Sequence, residues 1–160
     1  MLAVVEKFEG GFIAAYNRSL HYSVEKVWSA LTENDKLEKW MPNLQVADLR
    51  QGGKIKFNMN DGTEKSFDIS IEDYKERFYL QYEWGQGWVR FELFPNDDGC
   101  LLVLKEFIPV LSDHTSIDLA GWHVCLDMLS SLLDGQFMDF PKGEWEEWHQ
   151  RYVSVINQLR

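Results

Sequence analysis

From Leu44 to Phe107 the chain alternates apolar and polar residues with a period of two, and short turns punctuate the alternation. In KIKFNM, Ile55, Phe57 and Met59 alternate with Lys54, Lys56 and Asn58. In KSFDISIEDY, Phe67, Ile69 and Ile71 share one side, and in FYLQYEW, Phe78, Leu80, Tyr82 and Trp84 are in phase. The punctuation is Gly52-Gly53, Asp61-Gly62, Lys75-Glu76, GQG at 85–87 and PNDDG at 95–99, all residues that accept tight turns. Successive strand residues point to opposite faces, so this pattern predicts six antiparallel strands with one face covered and one wet. The last of them, CLLVLKEF, is apolar on both faces, and its phase stays open.

The flanks change period. GFIAAYNRSL (11–20) is β-rich and predicts a further strand, seven in all. In HYSVEKVWSALTEN, Ser23 suits an N-cap and Val24, Val27, Trp28 and Leu31 fall on one helical face. DKLEKW (35–40) predicts a second short helix, capped by Asn34 or Asp35 and stopped by Pro42. After a loop over 109–116, Leu119, Trp122, Leu126, Leu129 and Leu133 recur at three- and four-residue steps, and Cys125 and Leu132 widen the stripe. This predicts a long helix over 117–134, capped by Thr115 or Ser116 and ended by Gly135. The tail, 136–160, carries GEWEEWHQRYVSVINQL, with Trp145, Trp148, Tyr152, Ile156 and Leu159 on one stripe and Glu144, Glu146 and Glu147 in the first turn. No repeat, linker or low-complexity tract divides the chain, so a single domain over 1–160 with its core in 11–135 is expected.

A formal charge of −10 repels phosphate backbones and anionic lipid, which excludes nucleic acid as the main partner. No window reaches the roughly 18 apolar residues of a membrane span. Cys100 and Cys125 form no CxxC pair and no secretory signal opens the chain, so reduced thiols and a cytoplasmic location are expected.

Three stretches together resemble the Hsp90-ATPase-activator-homologue-like (AHSA1-like) family of the START/Bet v 1 superfamily. They are SVEKVWSALTENDKLEKWMPN (23–43), the meander opening at LRQGGKIKF, and GWHVCLDMLSSLLDG with Gly121-Trp122 and Leu126. The resemblance implies an α+β helix-grip fold in which a curved, seven-stranded antiparallel sheet wraps the long helix and a cavity between them takes an apolar or amphipathic small molecule. The eukaryotic co-chaperone carries a separate N-terminal domain that has no counterpart here, so an Hsp90-type chaperone partner does not carry over from the resemblance.

Candidate residues follow. Aromatic side chains make up 14% of the chain, and small-molecule sites are mostly apolar and aromatic with few polar anchors. Trp40, Phe57, Phe67, Tyr82, Trp84, Phe91, Trp122 and Leu126 are the expected lining, against the plainer reading of ordinary core packing. Trp84 and Trp88 flank a turn and are candidates for the rim. Glu106 faces inward if Leu102 and Leu104 do; in the opposite phase Lys105 points in, which its burial cost disfavours. His123 lies four residues from Asp127, the spacing of an oriented general base, but it is also one step off the apolar stripe, where a hydrogen-bonded structural histidine is usual. His21, His114, His123 and His149 are scattered and no HExxH, GxSxG or complete dinucleotide fingerprint occurs, so no metal and no cofactor are expected. The leading expectation is a non-enzymatic small-molecule binding domain. The alternatives are a cyclase, dehydratase or hydrolase acting on an aromatic or polyketide-like compound, and a chaperone-partner or stress-related module. The tail stripe, if exposed, would make a homodimer interface.

Overall fold

The computed structural model describes residues 1–160. Its strands are β1 (Val4–Phe8), β2 (Gly11–Leu20), β3 (Leu44–Asp48), β4 (Lys54–Asn58), β5 (Ser66–Lys75), β6 (Tyr79–Trp84), β7 (Gly87–Asn96) and β8 (Gly99–Ile108). Its helices are α1 (Val24–Thr32), α2 (Asn34–Trp40), α3 (Asp113–Leu133) and α4 (Lys142–Leu159). The strands form one antiparallel sheet in the order β1-β2-β8-β7-β6-β5-β4-β3.

The sheet has eight strands, where the sequence pattern predicts seven. The extra strand, VVEKF, pairs antiparallel with β2 from Val4 opposite Ala15 to Phe8 opposite Gly11. Glu6 and Lys7 interrupt its apolar run, which hid it. On an edge strand such charges are normal, because they deter pairing with another chain. A two-residue turn joins β1 to β2, and Gly10 takes the left-handed conformation there (φ 74°) that other residues resist.

The sheet is open, with β1 and β3 as its edges, and is not strongly curled about the long helix. The expected wrapping is limited by what lies between the layers. Trp40, Tyr82, Phe91 and Trp122 are all buried and meet ring to ring, with Phe91 5.9 Å from Trp122 and 6.3 Å from Trp40 between centroids. Rings of this size fill the middle and hold sheet and helix apart. α3 is tied to the sheet by the Tyr16 hydroxyl, which donates to the Leu119 carbonyl at 2.8 Å.

Helix ends follow local chemistry. Lys26 N–H donates to Ser23 Oγ, as the sequence predicts. Asn34 does not cap α2; its amide instead grips β3, donating to the Val46 carbonyl and accepting from Val46 N–H. α3 starts four residues earlier than expected. Ser112 is its cap, in a reciprocal capping box with Thr115, so the presumed cap residue serves as the box partner. Gly135 follows the helix with φ 78°.

The tail stripe docks on its own domain. Tyr152 and Ile156 are buried and Trp145 and Trp148 pack against the core. Tyr152 ties α4 to α3 and to the residue just before β1: its hydroxyl accepts from Ala3 N–H at 2.9 Å and shares a hydrogen bond with His123 Nδ1 at 2.7 Å. Tyr152→Phe should therefore lower the unfolding free energy by about 1–3 kcal/mol, since two buried groups lose their partner. Urea titration measures the loss, and hydrogen exchange should show it concentrated in β1; unchanged protection at Val4–Phe8 would contradict this account.

Candidate functional site

The sheet does not stay fully paired across its width. β5 pairs with β4 over Ser66–Ser70 and with β6 from Ile71 onward, with a register shift between Ile71 and Asp73. Over its first half, β5 is therefore separated from the end of β6, and Glu83 Oε1 bridges the gap by accepting from Ser70 N–H at 2.6 Å. Behind this split lies a cleft of about 820 Å³, open to solvent. Its walls are β4–β5, the β6–β7 turn, the end of β8 and the first turns of α3.

Aromatic rings form one wall. Phe57 and Phe67 stack with centroids 5.0 Å apart, and Trp84 meets Phe57 edge-on at 5.8 Å. Phe67 shares the inward face of Ile69 and Ile71, yet it is 53% exposed, because no helix covers that end of β5. Gly87 closes the hairpin so tightly against β8 that a Cβ there would lie 1.9 Å from the Phe107 carbonyl oxygen. That close approach needs glycine and sets the cleft's rim.

Glu106 is the polar centre. Pairing of β8 with β2 and β7 sets Leu102, Leu104, Glu106 and Ile108 inward and Lys105 outward, where Lys105 meets Glu92 at 2.8 Å. This settles the phase that LLVL concealed. Glu106 is 4% exposed, lines the cleft, and its Oε1 has no hydrogen-bond partner. Its strand neighbours Ala14 and Val89 are apolar and buried. Burial, followed by the neighbouring Asp118 carboxylate, pushes the carboxyl well above the usual range, so it holds its proton to higher pH than an exposed glutamate does. Asp118 in turn accepts from Trp84 Nε1 at 3.1 Å.

The expected lining thus divides. Phe57, Phe67, Trp84 and Glu106 come together at the cleft. Trp40, Tyr82, Phe91, Trp122 and Leu126 lie in the packed core, where the plainer reading of the aromatic set applies. Trp88 does not rim the opening from inside; it stacks on Phe107 across the outer face. His123 faces α4, stacked on Trp148 at 3.8 Å and bonded to Tyr152 rather than to Asp127. Burial, then the charges of Arg18, the N-terminus and Arg151, lowers it to about 3, as suits a structural neutral imidazole. Asp68, Glu83 and Asp118 also line the cleft, and none of them is among the lining residues expected from the sequence. The signal for Asp118 is its position one turn before Trp122 at the start of the long helix; Asp68 and Glu83 sit on outward phases and reach the cleft only because the sheet splits.

The described chain has no helix long and apolar enough to cross a membrane. Among solved structures, a conserved protein of unknown function from Enterococcus faecalis, EF2215, superposes with a TM-score of 0.87 at 24% identity, covering 99% of this chain and 92% of that one. CalU16 from Micromonospora echinospora superposes at 0.71 with 19% identity, covering 96% and 95%. Protein MLL2253 from Mesorhizobium loti does so at 0.67 with 21% identity, covering 79% and 99%. These likenesses concern the fold. No curated protein matches the chain. The model of the family described as "Activator of Hsp90 ATPase homolog 1-like protein" matches residues 21–134, from the entry to α1 through the end of α3. The chain belongs to that family.

Proposed function

We propose that this protein binds a small amphipathic molecule in the cleft behind the split sheet, with the apolar body against Phe57, Phe67 and Trp84 and the polar head at Glu106 and Asp118. The observation that carries the reading is the buried, unpartnered Glu106 oxygen at an aromatic-walled opening. Leaving a buried polar atom without a partner costs about 1–3 kcal/mol, and a bound polar group removes that cost. The ligand seat lies at one end of the sheet–helix interface, since the middle is filled by rings.

Native mass spectrometry of the protein after exposure to a cell extract should show a non-covalent adduct on the 18.8 kDa chain. Bare protein under all such conditions would count against the reading. Phe67→Ala should weaken adduct formation while changing stability by no more than about 0.5 kcal/mol, because the ring is more than half exposed. A large stability loss with unchanged binding would assign Phe67 to the scaffold instead.

A second reading rests on the same carboxyl. A Glu106 carboxyl held above the usual range with Asp118 nearby has the form of a general acid, as a cyclase or dehydratase requires. Glu106→Gln separates the two: it abolishes turnover of a substrate, and it only changes affinity for a ligand.

A further inference from the structure

The charge of the cleft wall narrows what its occupant can be. Asp68, Glu83, Glu106 and Asp118 line it, and neither lysine nor arginine does; His114 is the single basic side chain of the lining. Few of these acids are neutralised. Lys54 reaches Asp68 at only 3.8 Å with both side chains largely exposed, a weak and screened pair. Glu83 accepts from Ser70 N–H and Asp118 from Trp84 Nε1, both uncharged donors. Glu106 Oε1 accepts from nothing.

We infer that the cleft selects molecules whose head is an organic cation, an ammonium group seated between Glu106 and Asp118 and flanked by the faces of Phe57 and Trp84. The inference rests on the small-molecule reading above and adds the sign of the head. An anionic head would meet the carboxyls of Glu106 and Asp118, with Asp68 and Glu83 also in the lining and no lysine or arginine there to offset them. An ammonium finds two acceptors together with aromatic rings whose negative faces attract cations. No group of three acidic, histidine or cysteine side chains is placed to hold a metal ion, which favours an organic cation over a bare one.

The raised titration of Glu106 has a place in this scheme. Glu106 faces Asp118 from α3, with His114 and Thr115 also on α3, Glu83 on β6 and Asp68 on β5 lining the same space, while its neighbours on β2 and β7 are the apolar Ala14 and Val89. Without ligand the Glu106 proton moderates the repulsion between the two carboxyls. An arriving ammonium takes over that role, and the proton leaves to solvent.

The test uses three probes that differ only in the head: diphenylpropylamine, diphenylpropanol and diphenylpropionate, titrated calorimetrically at neutral pH into the full chain and into Glu106→Gln and Asp118→Asn. Both substitutions keep side-chain shape, and the amide introduced by Asp118→Asn would still offer its carbonyl oxygen to Trp84 Nε1. The amine should bind at least about tenfold tighter than the other two, a difference in binding free energy that one well-placed charge contact supplies. That preference should fall several-fold in each variant, and titrations in buffers of different ionisation heat should show proton release for the amine alone. Equal affinity for the three heads, or tighter binding of the alcohol or the carboxylate, overturns the cation assignment and leaves the small-molecule reading standing. An amine preference that survives both substitutions also overturns it, by attributing the effect to the overall acidic field. Failure of all three probes to bind overturns both readings together.

Discussion

Trp40→Ala should lower the unfolding free energy by about 3–5 kcal/mol, the range for deleting a large buried aromatic ring. Trp40 is 1% exposed, meets Phe91 edge-on, and donates from Nε1 to the Ala30 carbonyl at 2.8 Å. Alanine leaves a void between α2 and the sheet and strands a buried carbonyl at the end of α1. Because that ring lies in the packed middle and not at the cleft, affinity for any cleft ligand should change far less than stability. Urea denaturation and a binding titration on the same variant check both halves. A folded, equally stable Trp40→Ala protein that no longer binds would place the ligand in the middle of the molecule and reverse the assignment of core and site.

Glu106→Gln should make the protein more stable at neutral pH, by about 1.4 kcal/mol for each pH unit by which the Glu106 titration is raised toward neutrality. The sign follows from proton linkage. The folded-state pKa of Glu106 is raised by burial and by Asp118, so between the ordinary value of 4.5 and the raised one the folded state holds a proton that the unfolded state has released. Stability from this group is complete below the unfolded pKa and is lost as pH rises toward the folded pKa, with a slope of about 1.4 kcal/mol per pH unit inside that window. Glutamine does not titrate, so the two proteins should be close in stability near pH 4 and diverge as pH rises. Asp127 is also raised, chiefly by burial, and contributes a slope of the same sign to both proteins. The difference between the two curves isolates Glu106. A Glu106→Gln protein less stable than the parent at neutral pH would show that the carboxylate is charged and compensated in the folded state.

His123 works in the opposite sense. Its folded pKa is depressed to about 3, so its contribution is present above the ordinary value of 6.5 and is lost as pH falls toward 3. Together the two groups narrow the pH range of greatest stability from both sides, Glu106 by penalising high pH and His123 by penalising low pH.

How much of this was legible before the fold was known can be read from Phe67 and Trp40. Both are aromatic, both sit in phase with buried neighbours, and from sequence both belong to one candidate lining. They differ in what covers them. α2 brings Trp40 under the sheet, whereas the first half of β5 runs beyond the helices and leaves Phe67 at the opening. Periodicity reports which face a side chain is on, and it carries no information about how far the opposing layer extends. The same limit applies to Asp68 and Glu83, which alternate outward and reach the cleft only through the separation of β5 from β6.

The sequence alone determined the order of the elements from residue 11 onward, the antiparallel character of the sheet, the Ser23 cap and the family, because each of these depends on local spacing and turn chemistry. It did not reveal β1, a short and mostly exposed edge strand whose Glu6 and Lys7 break the apolar run. It left open the phase of β8, because Leu101 and Val103 on one face are as apolar as Leu102 and Leu104 on the other. Tertiary structure decided that Glu106 points inward, that Asp118 stands beside it, and that the space lies at the end of the sheet instead of under its centre. These outcomes depend on contacts between residues far apart in the chain, whose energies no local pattern encodes.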